Sequence, residues 1–477
     1  MRRRCMHMIC NISLPILILI CAAITSGCST SLPVKDLPAQ RPLGKGLSTF
    51  QAGRSLPRSP ESMTVFEAPK GPMTLRGAWA AALMHNPELA AFSWEVRAAE
   101  ARTLQASLRP NPEIGVVVEN IGGSGSFEGA EEAETTLGMR YLLELGGKRQ
   151  KRTDLAELET EMAGWDYEMR RIEVLTEVEL RFIEVLVAQR HLELARNNTD
   201  LSARVLDVVD KRIKSGAISP IEHDKQRVET ISARVALERA QRNLTVVRHR
   251  LAATWGSRDP QFKSVSGALE SIQPIPPIQA LADLVSQNPD IARWAAEIAK
   301  RRAAVKLAES QAIPDLTTGV GVRHFKQSND TALVLEISLP IPIFNRNQGN
   351  VLAAQFESAK AIQEQKKTEV RVQTALTGAY EEMAASYAEA VALRDEALPA
   401  AQRSFDRTQE GFKRGQFDYL DVLEVQRTLF RIRGQYVDAL STYHSAVAQV
   451  EGLIGQSIEA LDGTPSKSMK PGDAPDA

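Results

Sequence analysis

Cysteine and histidine, two residue types that often act as nucleophiles, acid–base groups or metal ligands, are scarce in the body of this chain. All of its thiols lie within the first 28 residues, as Cys5, Cys10, Cys21 and Cys28. The rest of the chain therefore has no thiol for a disulfide, a zinc site or a catalytic nucleophile. The histidines are scattered, without the i, i+4 spacing of a helical metal site, and His223-Asp224 is the one pairing that we single out. The sequence predicts no metal site and no cofactor.

Catalytic motifs are missing from the sequence as well. There is no Gly-x-Ser-x-Gly elbow, no metal-binding helix motif and no phosphate-binding loop. The formal net charge is −1, so no excess of basic residues points to a nucleic-acid partner. We therefore expect a protein that is not an enzyme and does not bind nucleic acid.

The N-terminal segment is typical of an export signal. Met1-Arg2-Arg3-Arg4 gives a positive start, and Ile12 to Ile24 is almost wholly apolar. It closes on Thr25-Ser26-Gly27-Cys28, where small residues before a cysteine resemble the lipobox of bacterial lipoproteins, whose cysteine is acylated. We expect removal of residues 1–27 and a lipid anchor on Cys28; the alternative is ordinary cleavage nearby, with Cys28 incidental. Residues 28–73 are predicted to be an extended segment.

The remainder of the chain contains an internal duplication. Asn86 to Ile114 aligns without a gap with Asn288 to Leu316, and Asn86-Pro87-Glu88-Leu89 matches Asn288-Pro289-Asp290-Ile291. The period far exceeds the roughly 20–50 residues of solenoid units, which favours two similar halves built side by side. The predicted repeats are 74–256 and 279–456, joined by a connector at 257–278 and followed by a disordered tail at 457–477.

Long helices dominate both predicted repeats. Lys148 to Ile213 and Asn345 to Arg414 are long helical runs with coiled-coil spacing, and the second contains Pro399, at which we expect a kink. Each is paired with two helices of about half that length, which stack end to end along it. These shorter helices are predicted at Thr74 to Arg109, Pro220 to Trp255, Gln279 to Ser310 and Phe417 to Gln456.

Each repeat also carries a predicted strand hairpin, at 113–143 and at 315–341. In the second, Leu333, Leu335 and Ile337 lie on one face of a strand. Strands of about 9 to 11 residues with one apolar face suit a transmembrane β-barrel, although a soluble sheet has the same periodicity. We favour the barrel because the chain is expected to be exported and its mature part has no apolar run of about 18 residues that could form a membrane-spanning helix. Because a barrel needs about eight strands, the sequence also predicts an oligomer.

The long helices are predicted to end in glycine turns, at 214–220 and 413–418. Gly216 and Gly415 end the incoming helices, and Ser219 and Asp418 can cap the outgoing ones. We call these turns tip 1 (214–220) and tip 2 (413–418), since each is the end of a helical hairpin. Each tip is expected to expose an apolar residue, Ile218 in tip 1 and Phe417 in tip 2. Such residues often mark contact with a partner, although packing within the turn explains each tip taken alone.

The order of these elements resembles the TolC-type outer-membrane efflux channels, and among them the cation-efflux branch typified by CzcC and CusC. The resemblance covers about Thr74 to Gln456 and includes the helix openings Glu144-Leu145-Gly146-Gly147-Lys148-Arg149 and Pro342-Ile343-Phe344-Asn345. It implies a mainly α fold with a transmembrane β-barrel: a homotrimer whose internally duplicated protomers each give four strands to a twelve-stranded barrel above a periplasmic α-barrel of antiparallel helices. Strand number alone would equally allow a dimer.

The resemblance further implies a passive exit duct in the outer membrane of a Gram-negative bacterium, with a large periplasmic portion. Its partners would be a periplasmic adaptor and, through it, an inner-membrane transporter of the RND type, with heavy-metal cations as the substrate. The adaptor would dock at the two tips, through Gly216, Ala217, Ile218, Ser219, Gly415, Gln416, Phe417 and Asp418. A duct for drug or peptide export is the main alternative, and an exported coiled-coil scaffold is a weaker one.

The resemblance also implies a periplasmic gate, formed by carboxylates just inside the tips. The matching residues are Asp421 and Glu424, whose i, i+3 spacing places them on one face of a helix. Three copies would form a ring that favours cations. Without a gate, the same residues would be a solvated helix face whose carboxylates stabilise the helix N-terminus.

Overall fold

The computed structural model describes residues 38–53 and 71–460, and within them the chain is mostly helical. The same order of elements occurs twice: two short helices, a strand hairpin, a long helix and a returning helix. In the first half these are α1 Leu75–His85, α2 Pro87–Ser107, β2 Glu113–Glu119, β3 Glu134–Leu143, α3 Lys148–Lys214 and α4 Pro220–Ala253. In the second they are α5 Ile278–Val285, α6 Pro289–Gln311, β5 Leu316–Phe325, β6 Asp330–Ser338, α7 Gln348–Ala392, α8 Leu398–Lys413 and α9 Tyr419–Ile454.

The first helix of each repeat is broken, which corrects the continuous helices expected from Thr74 and Gln279. Each break falls at an Asn-Pro pair, since proline starts a helix well but cannot continue one. The Asn86 side chain accepts the backbone N–H of Leu89 at 2.8 Å, and that of Asn288 accepts the N–H of Asp290 at 2.8 Å. The duplicated motif is therefore a helix N-cap.

The same two asparagines also tie each repeat together. Asn86 donates its side-chain N–H to the Thr254 carbonyl, at the end of α4, and Asn288 donates to the Leu453 carbonyl, near the end of α9, each at 2.7 Å. Both asparagines are buried. The motif thus fixes where the returning helix meets the first helix pair, which is an architectural role.

The two long helices differ in regularity. Helix α3 is continuous for 67 residues, about 100 Å at the standard rise. Its counterpart contains a five-residue π-turn, Leu393–Ala397, between α7 and α8 and directly before the predicted kink at Pro399. Proline lacks the N–H that an α-helix needs at this position, and the wider turn accommodates that loss.

One antiparallel sheet joins the repeats, in the order β2-β3-β5-β6. The central pair, β3 and β5, runs in register from Glu134 opposite Phe325 to Leu143 opposite Leu316. The two hairpins lie within the predicted ranges 113–143 and 315–341, although the first strand ends at Glu119 instead of Ile121 and the last at Ser338 instead of Ile341. Pro340 follows, and proline cannot donate to a strand ladder.

The short connecting segments are ordered where they are described. Two-residue strands, β1 Met73–Thr74 and β4 Val265–Ser266, pair in parallel, so the connector 257–278 is tied to the start of the first repeat. The predicted disordered tail is wrong at its start, because a short 3₁₀ turn at Ile458–Ala460 follows α9 and Ile458 packs against the core. Within residues 38–53 and 71–460, no helix is both long and apolar enough to cross a membrane.

Candidate functional site

The two hairpin tips have the same backbone geometry. In the first tip Gly216 has φ of +73°, and the N–H of Ala217 donates to the Arg212 carbonyl at 2.9 Å. In the second, Gly415 has φ of +77°, and the N–H of Gln416 donates to the Gly411 carbonyl at 2.9 Å. This left-handed glycine with a six-to-one hydrogen bond is the Schellman helix ending, so both glycines act as predicted.

Caps start both outgoing helices. The Ser219 hydroxyl accepts the N–H of Ile221 at 3.4 Å, a long contact at the start of α4. At the start of α9, the Asp418 side chain accepts a backbone N–H, and the N–H of Asp418 in turn donates to Asp421 at 3.0 Å. This reciprocal pair is a capping box, so tip 2 carries the stronger cap.

The apolar residues of the tips face different surroundings. Ile218 is half-buried and packs against a hydrophobic cluster between the tips, which corrects its expected exposure and agrees with the alternative of packing within the turn. Phe417 keeps 46% of its surface exposed, while its ring lies where a side chain at Gly411 would be. Ala217, Ser219, Gln416 and Asp418 are exposed.

A shared core joins the two tips into one body. The guanidinium of Arg212 lies 4.5 Å from the centre of the Phe412 ring and donates to the Phe412 carbonyl at 2.5 Å. Buried side chains from both hairpins form the cluster beneath: Val205, Val209, Phe405, Phe412, Tyr419, Val422, Leu423 and Leu429. Movement of one tip against the other would therefore expose apolar surface.

A buried polar network, missed by the sequence analysis, also crosses between the tips. The Tyr419 hydroxyl donates to Oε1 of Gln226 at 2.8 Å, and Gln226 donates to the Ser202 carbonyl at 3.1 Å. Ser202 in turn lies 3.1 Å from the Thr230 hydroxyl. Burial, followed by the nearby carboxylates of Glu229 and Glu222, raises the pKa of Tyr419, so its hydroxyl keeps its proton and remains a donor. The signal available in the sequence was Gln226 and Thr230, two polar residues at i, i+4 on a packed face.

The two proposed gate residues have different local roles. Both are exposed on one face of α9. Asp421 belongs to the capping box, which is the structural alternative raised from the sequence. Among the residues that the structure describes, Glu424 has no hydrogen-bond or ion-pair partner. Arg427, one turn further along α9, pairs with Glu229 of α4. Glu424 is therefore the freer carboxylate.

The pairing His223-Asp224 lies on the surface near the first tip. His223 contacts Asp224 at 3.3 Å and Asp210 at 3.6 Å, which are ordinary polar contacts at the surface. Over residues 38–53 and 71–460, no three His, Cys, Asp or Glu side chains are grouped so as to hold a metal ion. The predicted export signal and the anchor Cys28 lie outside the described residues.

The sheet presents two chemically opposite faces. Strand register aligns its apolar residues in rows, one of which is Val116, Leu137, Val322 and Leu333, all 49 to 67% exposed. The opposite face carries ion pairs, with Arg140 and Glu336 at 3.0 Å and Arg323 and Glu134 at 2.9 Å. A broad apolar face left uncovered in a single chain requires another apolar phase or partner.

Comparisons with known proteins identify related sequences over both repeats. The family described as outer membrane efflux protein matches residues 79–257 and 280–456. The cobalt-zinc-cadmium resistance protein CzcC of Cupriavidus metallidurans is 33% identical over 386 residues, which cover 81% of this chain and 91% of CzcC. The pyoverdine export outer membrane protein OpmQ of Pseudomonas putida is 24% identical, covering 78% of this chain and 83% of OpmQ.

Solved structures share the fold. A crystal structure of CusC, reported in connection with folding and transmembrane channel formation, superposes with a TM-score of 0.69. It covers 89% of this chain and 99% of its own, at 16% sequence identity. At that identity the likeness supports the architecture alone.

Proposed function

The chain belongs to the outer membrane efflux protein family, and on that premise we propose that it is the outer-membrane duct of a tripartite efflux system for heavy-metal cations. The main support for heavy-metal cations as the substrate is the similarity to CzcC, which extends over most of both chains. The family is one of efflux proteins, in agreement with the prediction that the chain is not an enzyme.

The sheet supports the proposal of a membrane barrel. Its apolar face would contact lipid, and its charged face, with Arg140 and Glu336, would line the water-filled interior. Since one protomer supplies only these four strands, several copies must combine, and three would give the twelve strands that the family resemblance implies.

Helix α4 supports the proposal of a homotrimer from a second position. Its outer face bears a stripe of exposed apolar side chains at mostly helical spacing: Ile221, Val228, Ile231, Val235 and Val246. A neighbouring copy would cover this stripe, as helices in a bundle cover one another's apolar faces. The trimer would then continue below the barrel as a helical tunnel.

We place the functional ends of this tunnel at the hairpin tips. The adaptor would meet the exposed residues of both tips, with Phe417 as the apolar contact. Asp421 and Glu424, repeated around a three-fold axis, would form an acidic constriction that favours cations over anions. The adaptor would link the duct to an inner-membrane RND transporter.

Export of an organic molecule is the second candidate function. The 24% identity to OpmQ, a pyoverdine export protein, covers nearly as much of the chain as the similarity to CzcC does. The charged interior of the sheet is compatible with either cargo. The two candidates are therefore separated by a transport experiment.

Complementation tests the proposed substrate class. The full chain would be expressed in a strain that has a metal-type adaptor and RND pump but lacks their outer-membrane component. We expect growth on cobalt, zinc or cadmium salts to be restored. Restored secretion of a siderophore in the matching organic-export strain, without restored metal resistance, would replace the cation proposal with the organic one.

Two adjacent strand residues provide the matched control for membrane insertion. Leu335 is 74% exposed on the apolar face, whereas Glu336 lies on the charged face. Arginine at a lipid-facing position near the membrane centre costs about 2–4 kcal/mol. We expect Leu335→Arg to remove the protein from the outer membrane and its resistance with it, and Glu336→Gln to preserve both. Equal insertion of the two variants would contradict the proposed barrel.

A further inference from the structure

A cavity of about 560 Å³ lies where the two repeats meet, far from the tips and the sheet. The segment 38–53, which precedes the first repeat, contributes Leu43 to the cavity wall. Helix α1 contributes Trp79, and α7 contributes Met383. Two acidic side chains from the helices that cross here, α3 and α9, complete the wall: Glu179 and Glu451. The crossing is tight, because a side chain at Gly452 would clash with Thr176.

The two carboxyl groups are buried and unequally satisfied. Glu179 is 8% exposed, and its Oε2 atom is buried without a hydrogen-bond partner among the described residues. Glu451 is 5% exposed, and its Oε1 atom accepts the Ser457 hydroxyl at 2.8 Å and the Ile458 N–H at 2.7 Å. A buried carboxylate without a partner is costly, so Glu179 needs a proton or a ligand.

Among the described residues, no basic side chain near Glu179 and Glu451 forms an ion pair with either of them. Arg76 of α1 is exposed at the edge of the cavity. Arg171, two turns before Glu179 on α3, is held by Glu168 at 2.8 Å and by the Leu43 carbonyl. The guanidinium of Arg41, in the segment 38–53, lies over the ring of Trp165.

The other titratable neighbours do not supply a positive charge. Burial lowers the pKa of His444, which lies 2.8 Å from the Leu269 carbonyl, so it is neutral near pH 7. Burial raises the pKa of Tyr443, whose ring packs against Tyr387 of α7. Glu459, in the turn after α9, adds a third carboxyl group at the cavity.

These surroundings favour the protonated form of both acids. Burial, followed by the charges of Glu451 and Glu459, raises the pKa of Glu179 well above its ordinary value. Burial raises the pKa of Glu451 to about 7, despite its two hydrogen bonds. Interacting acids of this kind titrate as a pair rather than one by one.

We propose that Glu179 and Glu451 form a protonation site at the joint between the repeats, which stabilises the crossing of α3 and α9 when protonated and loosens it when the proton is lost. Because these two acids bind more protons in the folded state than in the unfolded chain, their contribution to stability is fully present below the ordinary glutamate pKa. It falls as the pH rises through the folded-state values, near 7 for Glu451. The joint thereby responds to the pH around the channel's helical portion.

Thermal unfolding of the detergent-solubilised full chain tests the site. The wild-type melting temperature should fall between about pH 5 and about pH 8. Glu179→Gln and Glu451→Gln should each reduce that fall, and the double variant should abolish it, because glutamine is a neutral mimic of the protonated acid. Glu177→Gln, on the same helix but outside the cavity, should keep the wild-type slope. Parallel slopes for all variants would overturn the proposal.

Infrared difference spectroscopy gives a readout that a merely structural role would not move. Raising the pH across the same range should remove the carbonyl band of a buried protonated carboxyl group. The band should be weaker in each single variant and absent in the double variant, and unchanged in Glu177→Gln. A rise in melting temperature on adding Zn²⁺ or Mg²⁺ at alkaline pH, lost in Glu179→Gln, would instead assign the cavity to a cation and overturn the protonation site.

Discussion

The two hairpin tips share a backbone and differ in chemistry. Both end their long helix with a left-handed glycine and the same six-to-one hydrogen bond. At the next apolar position, however, Ile218 packs inward against the shared core, whereas Phe417 remains 46% exposed. The two tips thus share the same turn but differ in their apolar side chain, which faces the shared core in tip 1 and is largely exposed in tip 2.

A second pair of equivalent positions explains how this difference arises. Arg212 and Gly411 have the same place in the two helix endings, since each carbonyl accepts the closing hydrogen bond. Arg212 extends its side chain across to Phe412 of the other tip. Gly411 leaves room for the ring of Phe417, which a side chain there would displace. At this position tip 1 therefore has a side chain that contacts tip 2, whereas tip 2 has a glycine that leaves room for its own exposed phenylalanine.

Valine at each tip glycine should give the largest effect. A left-handed backbone costs an ordinary L-residue roughly 1–2 kcal/mol and a β-branched residue more, so Gly216→Val and Gly415→Val should destabilise their turns alike. If tip 2 is the principal docking surface, Gly415→Val should lower metal resistance more strongly at equal outer-membrane abundance. Gly415→Asn, which tolerates this conformation, is the control and should retain resistance. Equal losses from both valine variants would remove the functional distinction between the tips.

Removal of the Tyr419 hydroxyl should have the next largest effect. This hydroxyl has no counterpart in tip 1, where Pro220 occupies the equivalent position. Tyr419→Phe leaves the buried Gln226 Oε1 without its donor, which costs about 1–3 kcal/mol. We expect a lower unfolding midpoint and a higher conductance in reconstituted channels, because the tips separate more easily. In a double-mutant cycle, adding Gln226→Met should cost less than it does in the wild type. Strict additivity would show that this hydrogen bond does not join the tips.

Local patterns in the sequence predict much of this architecture. Alternating residues such as Leu333 and Leu335 locate the strands, and Gly216 and Gly415 locate the turns, because each signal depends on neighbours a few residues away. The same logic missed the break at Pro87 inside the first predicted helix, where an Asn-Pro pair should have outweighed the helical spacing around it.

The contacts between repeats were not predictable in the same way. Tyr419 meets Gln226, and Glu179 lies near Glu451, across separations of roughly 200 residues or more in the sequence. No period of 3.6 or 2 residues encodes which helices become neighbours. The inward position of Ile218 has the same cause, since the core that covers it comes partly from the other repeat.

The smallest expected effect on stability distinguishes two acids of α9, Asp421 and Glu424. Asp421→Ala removes the hydrogen bond that the third helical residue makes to the N-cap, which should cost about 0.5–1.5 kcal/mol, whereas Glu424→Ala should leave the unfolding midpoint nearly unchanged. If these carboxylates line the closed constriction, the double variant should raise conductance and reduce cation preference, with Glu424 responsible for the electrostatic part. The matched control is Glu222→Ala in tip 1, where that carboxylate already pairs with Lys225 at 3.2 Å and should not affect conductance. Unchanged conductance in the double variant would leave Asp421 as a helix cap and Glu424 as part of a solvated face.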